Sequence, residues 1–234
     1  MARGQRRSSL AIWVVAAAAG WATIAWLAIR LFTDQPRRAA FDLDLLLGAG
    51  RAVAAGGSPY DPAIIAGHAP RAVDLFFSYP PIVGQAMVPL AGLPLGLVYL
   101  VWSVAAIALF AVVVLRLRTV IGSTTSTATL ATASVALAAA TLPFIIAILF
   151  GNLDAFFPAL YGLALVAAMS GRRRDSVVGG IAIAIGAATK LYPVGLGLWF
   201  AIRALRDRGR DRGGSALVTL AAAIGAGVII VGIS

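Results

Sequence analysis

The chain has 234 residues, 61% of them hydrophobic and only 12% charged, with a mean hydropathy of +0.94. A water-soluble domain of this size needs far more polar surface, so the composition places the protein in a membrane. The net charge of +10 does not indicate a nucleic-acid partner, because the arginines fall in short clusters between apolar runs, and the absence of cysteine excludes disulfides and thiolate metal sites.

The N-terminal stretch, MARGQRRSSLAIWVVAAAAGWATIAWLAIRLF, joins a basic head to an apolar run over Leu10–Phe32. Secretory signals have apolar cores of about 7–15 residues, whereas a bilayer crossing takes about 20. The run therefore reads as an uncleaved signal anchor with its N-terminus in the cytoplasm, although small residues near Ala19 also suit cleavage. An external segment, 33–80, follows and contains FDLDLLLGAGRAVAAGGSPYDP at residues 41–62.

Asp42 and Asp44 lie there among leucines rather than in a polar run. They are either solvated loop carboxylates or groups held against an apolar surface. Burial would raise the pKa and suit such a group to take a proton from a hydroxyl. The two side chains point to opposite faces of a strand, or about 200° apart in a helix, so one of the pair faces any given site. Gly56 and Gly57 stop the following helix-like stretch, and Pro59 and Pro62 form turns. Tyr60 either ends that turn or touches a substrate. Arg51 and Arg71 are candidate external contacts for an anion, and His68 has no partner spaced for zinc. FFSYPP reads as an interfacial aromatic belt, and the prolines of 80–94 suggest an interfacial or re-entrant piece.

Further apolar stretches predict helices over Leu95–Leu115 and Ala128–Phe150, a turn at GNLD, and a return to Ser170. Asn152 and Asp154 in that turn either face a site as polar groups or cap the next helix. Cytoplasmic placement of the clusters at Arg3–Arg7, Arg116–Arg118, Arg172–Arg174 and Arg203–Arg212 requires an even number of crossings between them. Residues 176–202 suffice for one crossing, not two. They fit a re-entrant hairpin broken at TKLYP, whose first arm rises about 20 Å, or else a single helix. All nine acids are Asp, and Lys190 is the only lysine. An ionisable group inside an apolar run marks function more often than not, against the alternative of snorkelling to the interface. Tyr192 could add a hydrogen bond beside it. A last apolar run begins at Ala216 and reaches Ser234 in mid-pattern, as in the N-terminal part of a larger fold or in a shortened relative.

The order of these motifs resembles glycosyltransferase family 87, the polyprenol-phosphate-mannose-dependent mannosyltransferases of GT-C type. An acid after the first helix leads to Gly-x-x-Pro-Tyr-Asp, here FDLDLLLGAGRAVAAGGSPYDP. FFSYPP follows, then GNLD where the family tends to have Gly-Gln-x-Asn, and then GRRRDSVVGGIAIAIGAATKLYP. The resemblance spans residues 40–202. It implies an all-α, polytopic transmembrane bundle with a GT-C-like N-terminal portion, a single integral domain over 1–234. It also implies an inverting, metal-independent hexosyltransfer at the outer face of the cell membrane. The donor would be a polyprenyl-phosphate sugar, with no further cofactor, and the acceptor a glycolipid or glycan. Asp42 would be the base, with Asp44 the nearby alternative. Lys190, Tyr192 and Arg51 would hold the donor phosphate, and Asn152, Asp154 and Tyr60 the sugar or acceptor. A transporter or lipid-handling protein, and a non-catalytic partner or remnant of a glycosyltransferase, are the competing readings.

Overall fold

The computed structural model describes residues 3–70, 76–190, 193–206 and 211–232, and all regular structure among them is helical. In chain order the helices are α1 (Arg3–Asp34), α2 (Phe41–Ala54), α3 (Pro62–His68), α4 (Pro81–Met87), α5 (Leu95–Val120), α6 (Thr127–Ala140), α7 (Leu142–Phe150), α8 (Phe157–Ser170), α9 (Arg173–Thr189), α10 (Val194–Arg206) and α11 (Asp211–Gly232). Short 3₁₀ turns cover Val88–Leu90 and Leu153–Phe156. Among the described residues, four helical stretches are long and apolar enough to cross a membrane: Ser9–Asp34, Leu95–Val120, Leu153–Ser170 and Gly214–Gly232. The fold is thus a polytopic helical bundle. Trp21 of α1 donates its indole N–H to the Val135 carbonyl of α6 at 2.9 Å, which ties the first span to the bundle.

A single helix expected over Ala128–Phe150 is instead two, α6 and α7, bent by 77°. Thr141 at the joint is extended, at φ −99° and ψ 108°, and Pro143 sits in the first turn of α7. A proline lacks the N–H that a helix interior needs, so it is tolerated only where that donor would be unpaired anyway. The uninterrupted apolar character of the stretch concealed this break.

Residues 35–70 and 76–94 form a small folded cap rather than a loop. Leu43, Leu46 and Leu47 of α2 are fully buried, in one cluster with Ile65, Phe77, Val83, Met87 and Trp102. Each leucine so buried contributes about 2 kcal/mol. The leucine run around the two aspartates is therefore the core of this cap. Its helix stops where Gly56 turns left-handed, at φ 77°, with the Gly56 and Gly57 N–H groups on the Val53 and Ala52 carbonyls.

At the other side of the bundle α8, α9, α10 and α11 pack together. Gly180 lets α9 approach α11 so closely that any Cβ would strike the Thr219 carbonyl. α9 ends at Thr189 with Lys190 extended, and α10 packs back along α9. Gly186 faces Pro193 near that end, and Ile183 shares a core with Phe200, Ala204, Ala164, Ala167 and Ala216 further along. Arg116 of α5 pairs with the buried Asp175 of α9 at 2.7 Å and so locks those helices at the end away from Lys190.

Candidate active site

The N-terminus of α2 meets the C-terminus of α7 residue by residue. Ala40, left-handed at φ 49°, donates its N–H to the Leu149 carbonyl at 3.2 Å. Phe41 and Phe150 lie with ring centroids 4.6 Å apart. Leu43 packs onto Gly151, which is left-handed at φ 69° and whose Cβ, if present, would come within 2.5 Å of the Leu43 Cβ. Glycine satisfies both demands at once. This seam seats Asp42 over the Gly151–Asp154 turn.

Asn152 does two jobs there. Its Nδ2 donates to Asp42 Oδ2 at 2.7 Å, and its Oδ1 accepts the Asp154 N–H at 2.9 Å. So Asn152 caps the turn, which leaves the Asp154 carboxylate for another partner. That partner is Lys190, with Nζ 2.7 Å from Asp154 Oδ1 and 6.0 Å from the centre of the Tyr79 ring. Lys190 is extended, at φ −147° and ψ 138°, as the residue that ends α9. The result is a half-buried chain, Asp42–Asn152–Asp154–Lys190, roofed by Tyr79.

Burial pushes the Asp42 carboxyl above the usual carboxylate range, and the Asp154 charge adds to the rise. The Asn152 hydrogen bond and the Lys190 charge pull the other way without cancelling it. The Tyr79 phenol is pushed up to about 12 by burial first, then by the Asp42 and Asp154 charges. It remains protonated and able to donate. A groove of about 200 Å³ at the α6–α7 bend opens onto the cluster, lined by Phe144, Ala147, Phe150, Asn152, Asp154 and Pro158. The arrangement offers a proton acceptor, a cation and an apolar approach within one site. Among the described residues, no group of three or more His, Cys, Asp or Glu is placed to hold a metal ion.

The remaining candidates lie apart from this cluster. Asp44 faces the other side of α2, is 3% exposed, and pairs with Arg51 at 3.6 Å. Arg51 also donates to the Ala91 carbonyl at 3.0 Å and to the His68 carbonyl. Its guanidinium thus braces α2 against the ends of α3 and the Val88–Leu90 turn. We expect Arg51→Ala to cost about 2–3 kcal/mol by leaving Asp44 buried beside an empty site, read as a lowered melting temperature of the purified protein. Tyr60 donates its hydroxyl to the Tyr79 carbonyl at 2.8 Å and meets the Phe77 ring at a tilt, centroids 5.7 Å apart, so it positions Tyr79 from behind. The Asp61 carboxylate caps α3 by accepting the Ala63 N–H at 2.9 Å. Tyr192 and Arg71 lie outside the described residues. In the sequence Tyr79 reads, with Phe76 and Phe77, as part of an interfacial aromatic belt. The one local signal was its place before Pro80, which holds the backbone extended.

The family model for glycosyltransferase family 87 matches residues 76–234, well over half of the chain. The chain belongs to glycosyltransferase family 87. With its several apolar spans it is a multi-pass membrane glycosyltransferase, and membership favours the enzyme over the transporter reading. Tyr79, Asn152, Asp154 and Lys190 fall inside the matched segment. Asp42 and Asp44 precede it, and the packing of α2 on α4, α5 and α7 joins them to the family's part of the chain. No curated protein and no solved structure matches the chain.

Proposed function

We propose that this family 87 glycosyltransferase moves a hexosyl group, mannosyl first among them, from a polyprenyl-phosphate sugar to a lipid or glycan acceptor at the outer face of the cell membrane. The observation that carries the reading is the convergence of Asp42, Asn152, Asp154 and Lys190 from three distant parts of the chain. Asp42 takes the proton of the acceptor hydroxyl. That oxygen attacks the anomeric carbon from the face opposite the phosphate, the bond from that carbon to the phosphate oxygen breaks, and polyprenyl phosphate departs with the electron pair. The anomeric configuration inverts.

A positioned base is worth about 10²–10⁴-fold in rate, and a raised pKa suits Asp42 to the task. Lys190 supplies positive charge where the leaving phosphate develops its own, the place a metal would otherwise fill. Asp154 orients the lysine, and Asn152 holds the Asp42 carboxylate toward the acceptor. The outward orientation rests on the arginines: Arg116, Arg118 and Arg172–Arg174 gather at the end of the bundle away from Lys190, which by the positive-inside rule faces the cytoplasm together with the N-terminus.

The test is transfer by the purified protein in liposomes, with labelled mannose presented either on polyprenyl phosphate or on a nucleotide, and with the product configuration read by NMR. Transfer from the polyprenyl donor alone, with inversion, is the expected result. Transfer from the nucleotide sugar, retention of configuration, or transfer from neither donor would overturn the proposal.

A further inference from the structure

We infer that the basic end of the bundle holds a binding site for an anionic membrane phospholipid. A cavity of about 480 Å³ lies there between the C-terminal half of α5, α8 and the first turns of α9. Val112, Val113, Val166 and Val178 contribute to its apolar wall, while Arg116, Thr119, Arg174 and Asp175 form its polar lining. Asp175 is buried and committed to Arg116 at 2.7 Å, so its charge is already matched. Arg174 is exposed, and Arg118, Arg172 and Arg173 stand at the same end. One aspartate among five arginines leaves a strongly positive rim, and the complementary ligand is an anion.

The occupant is a lipid because of where the cavity opens. Val112 is 60% exposed and Val178 is 39% exposed, on the faces of α5 and α9 that acyl chains would cover. A headgroup phosphate sits at Arg174 and Arg116, with its chain along the two valines. Basic pockets between membrane helices on the cytoplasmic side recognise anionic headgroups in this way. The site is separate from the catalytic cluster, since Arg174 lies about 24 Å along α9 from Lys190.

The experiment reconstitutes the full chain in nanodiscs of equal phosphatidylglycerol and phosphatidylcholine with matched chains. Native mass spectrometry then reads the lipids that stay bound. Phosphatidylglycerol should be retained about fivefold over phosphatidylcholine. Arg174→Gln should bring that enrichment close to one, and Val112→Trp, which fills the cavity from its open side, should reduce retention of the bound lipid. Both positions are exposed, so neither change disturbs the core. Equal retention of the two lipids by the unmodified protein, or an enrichment that both variants leave intact, would overturn the inference.

Discussion

Replacing Asp42 by Asn is expected to lower sugar transfer by about 10²–10⁴-fold while the protein stays folded. The substitution keeps the shape of the side chain and removes its charge and its capacity to accept a proton. Burial already opposes the Asp42 charge, so a neutral amide there does not cost stability. Asp44→Asn should give the opposite pattern. Asp44 is buried on the other face of α2 against Arg51, so neutralising it weakens the cap and lowers the melting temperature. Transfer per folded molecule should stay within a few-fold of normal for Asp44→Asn, an order-of-magnitude expectation for a residue remote from the base. Label transfer and a thermal melt of each reconstituted variant decide the matter. If Asp44→Asn abolished transfer and Asp42→Asn spared it, the base would have to be Asp44.

Lys190→Gln should be nearly as damaging, with kcat/KM for the polyprenyl donor reduced by about 10²–10³-fold. The amide leaves Asp154 without its ion pair, Tyr79 without the cation below its ring, and the departing phosphate without a positive charge. Charge and shape separate in Lys190→Arg. Arginine keeps the charge but replaces a compact ammonium with a planar fork, so a recovery of about tenfold over the glutamine variant is expected rather than full activity. Steady-state kinetics with varied donor read both variants. A lysine that merely snorkelled to the interface would give a loss of about twofold or less in either case.

Much of the bundle was legible because membrane spans announce themselves by length. The N-terminal run and the run after Pro94 appear as α1 and α5, of 32 and 26 residues. The break at Thr141–Pro143 was hidden because apolar residues continue on both sides of it, and hydropathy carries no information about direction. The cap was half legible: the leucines around Asp42 and Asp44 signalled an apolar setting, but only packing reveals that α2 is its core. Asp42 and Lys190 stood out as charges where charge is costly. The double role of Asn152 and the placement of Tyr79 could not be read, because each depends on contacts between segments far apart in the chain. Arg51 is a different case. It lies seven positions after Asp44, on the same helical face, so the brace could have been read from spacing alone.

The central claim is that the Asp42 carboxylate works as a base within reach of the Lys190 charge. The most direct test is the acidic limb of the pH dependence of kcat/KM in the unmodified enzyme and in Lys190→Gln. Activity requires the ionised carboxylate, so it should fall as pH drops through a pKa that lies above the usual carboxylate range. Lys190 lowers that pKa and Asp154 raises it. Removing the lysine therefore moves the limb to higher pH, with the Asp154 charge left unopposed. A limb displaced upward in Lys190→Gln, beneath its lower overall rate, is the predicted result. A limb at ordinary carboxylate pH in the unmodified enzyme, unmoved by the substitution, would contradict the account.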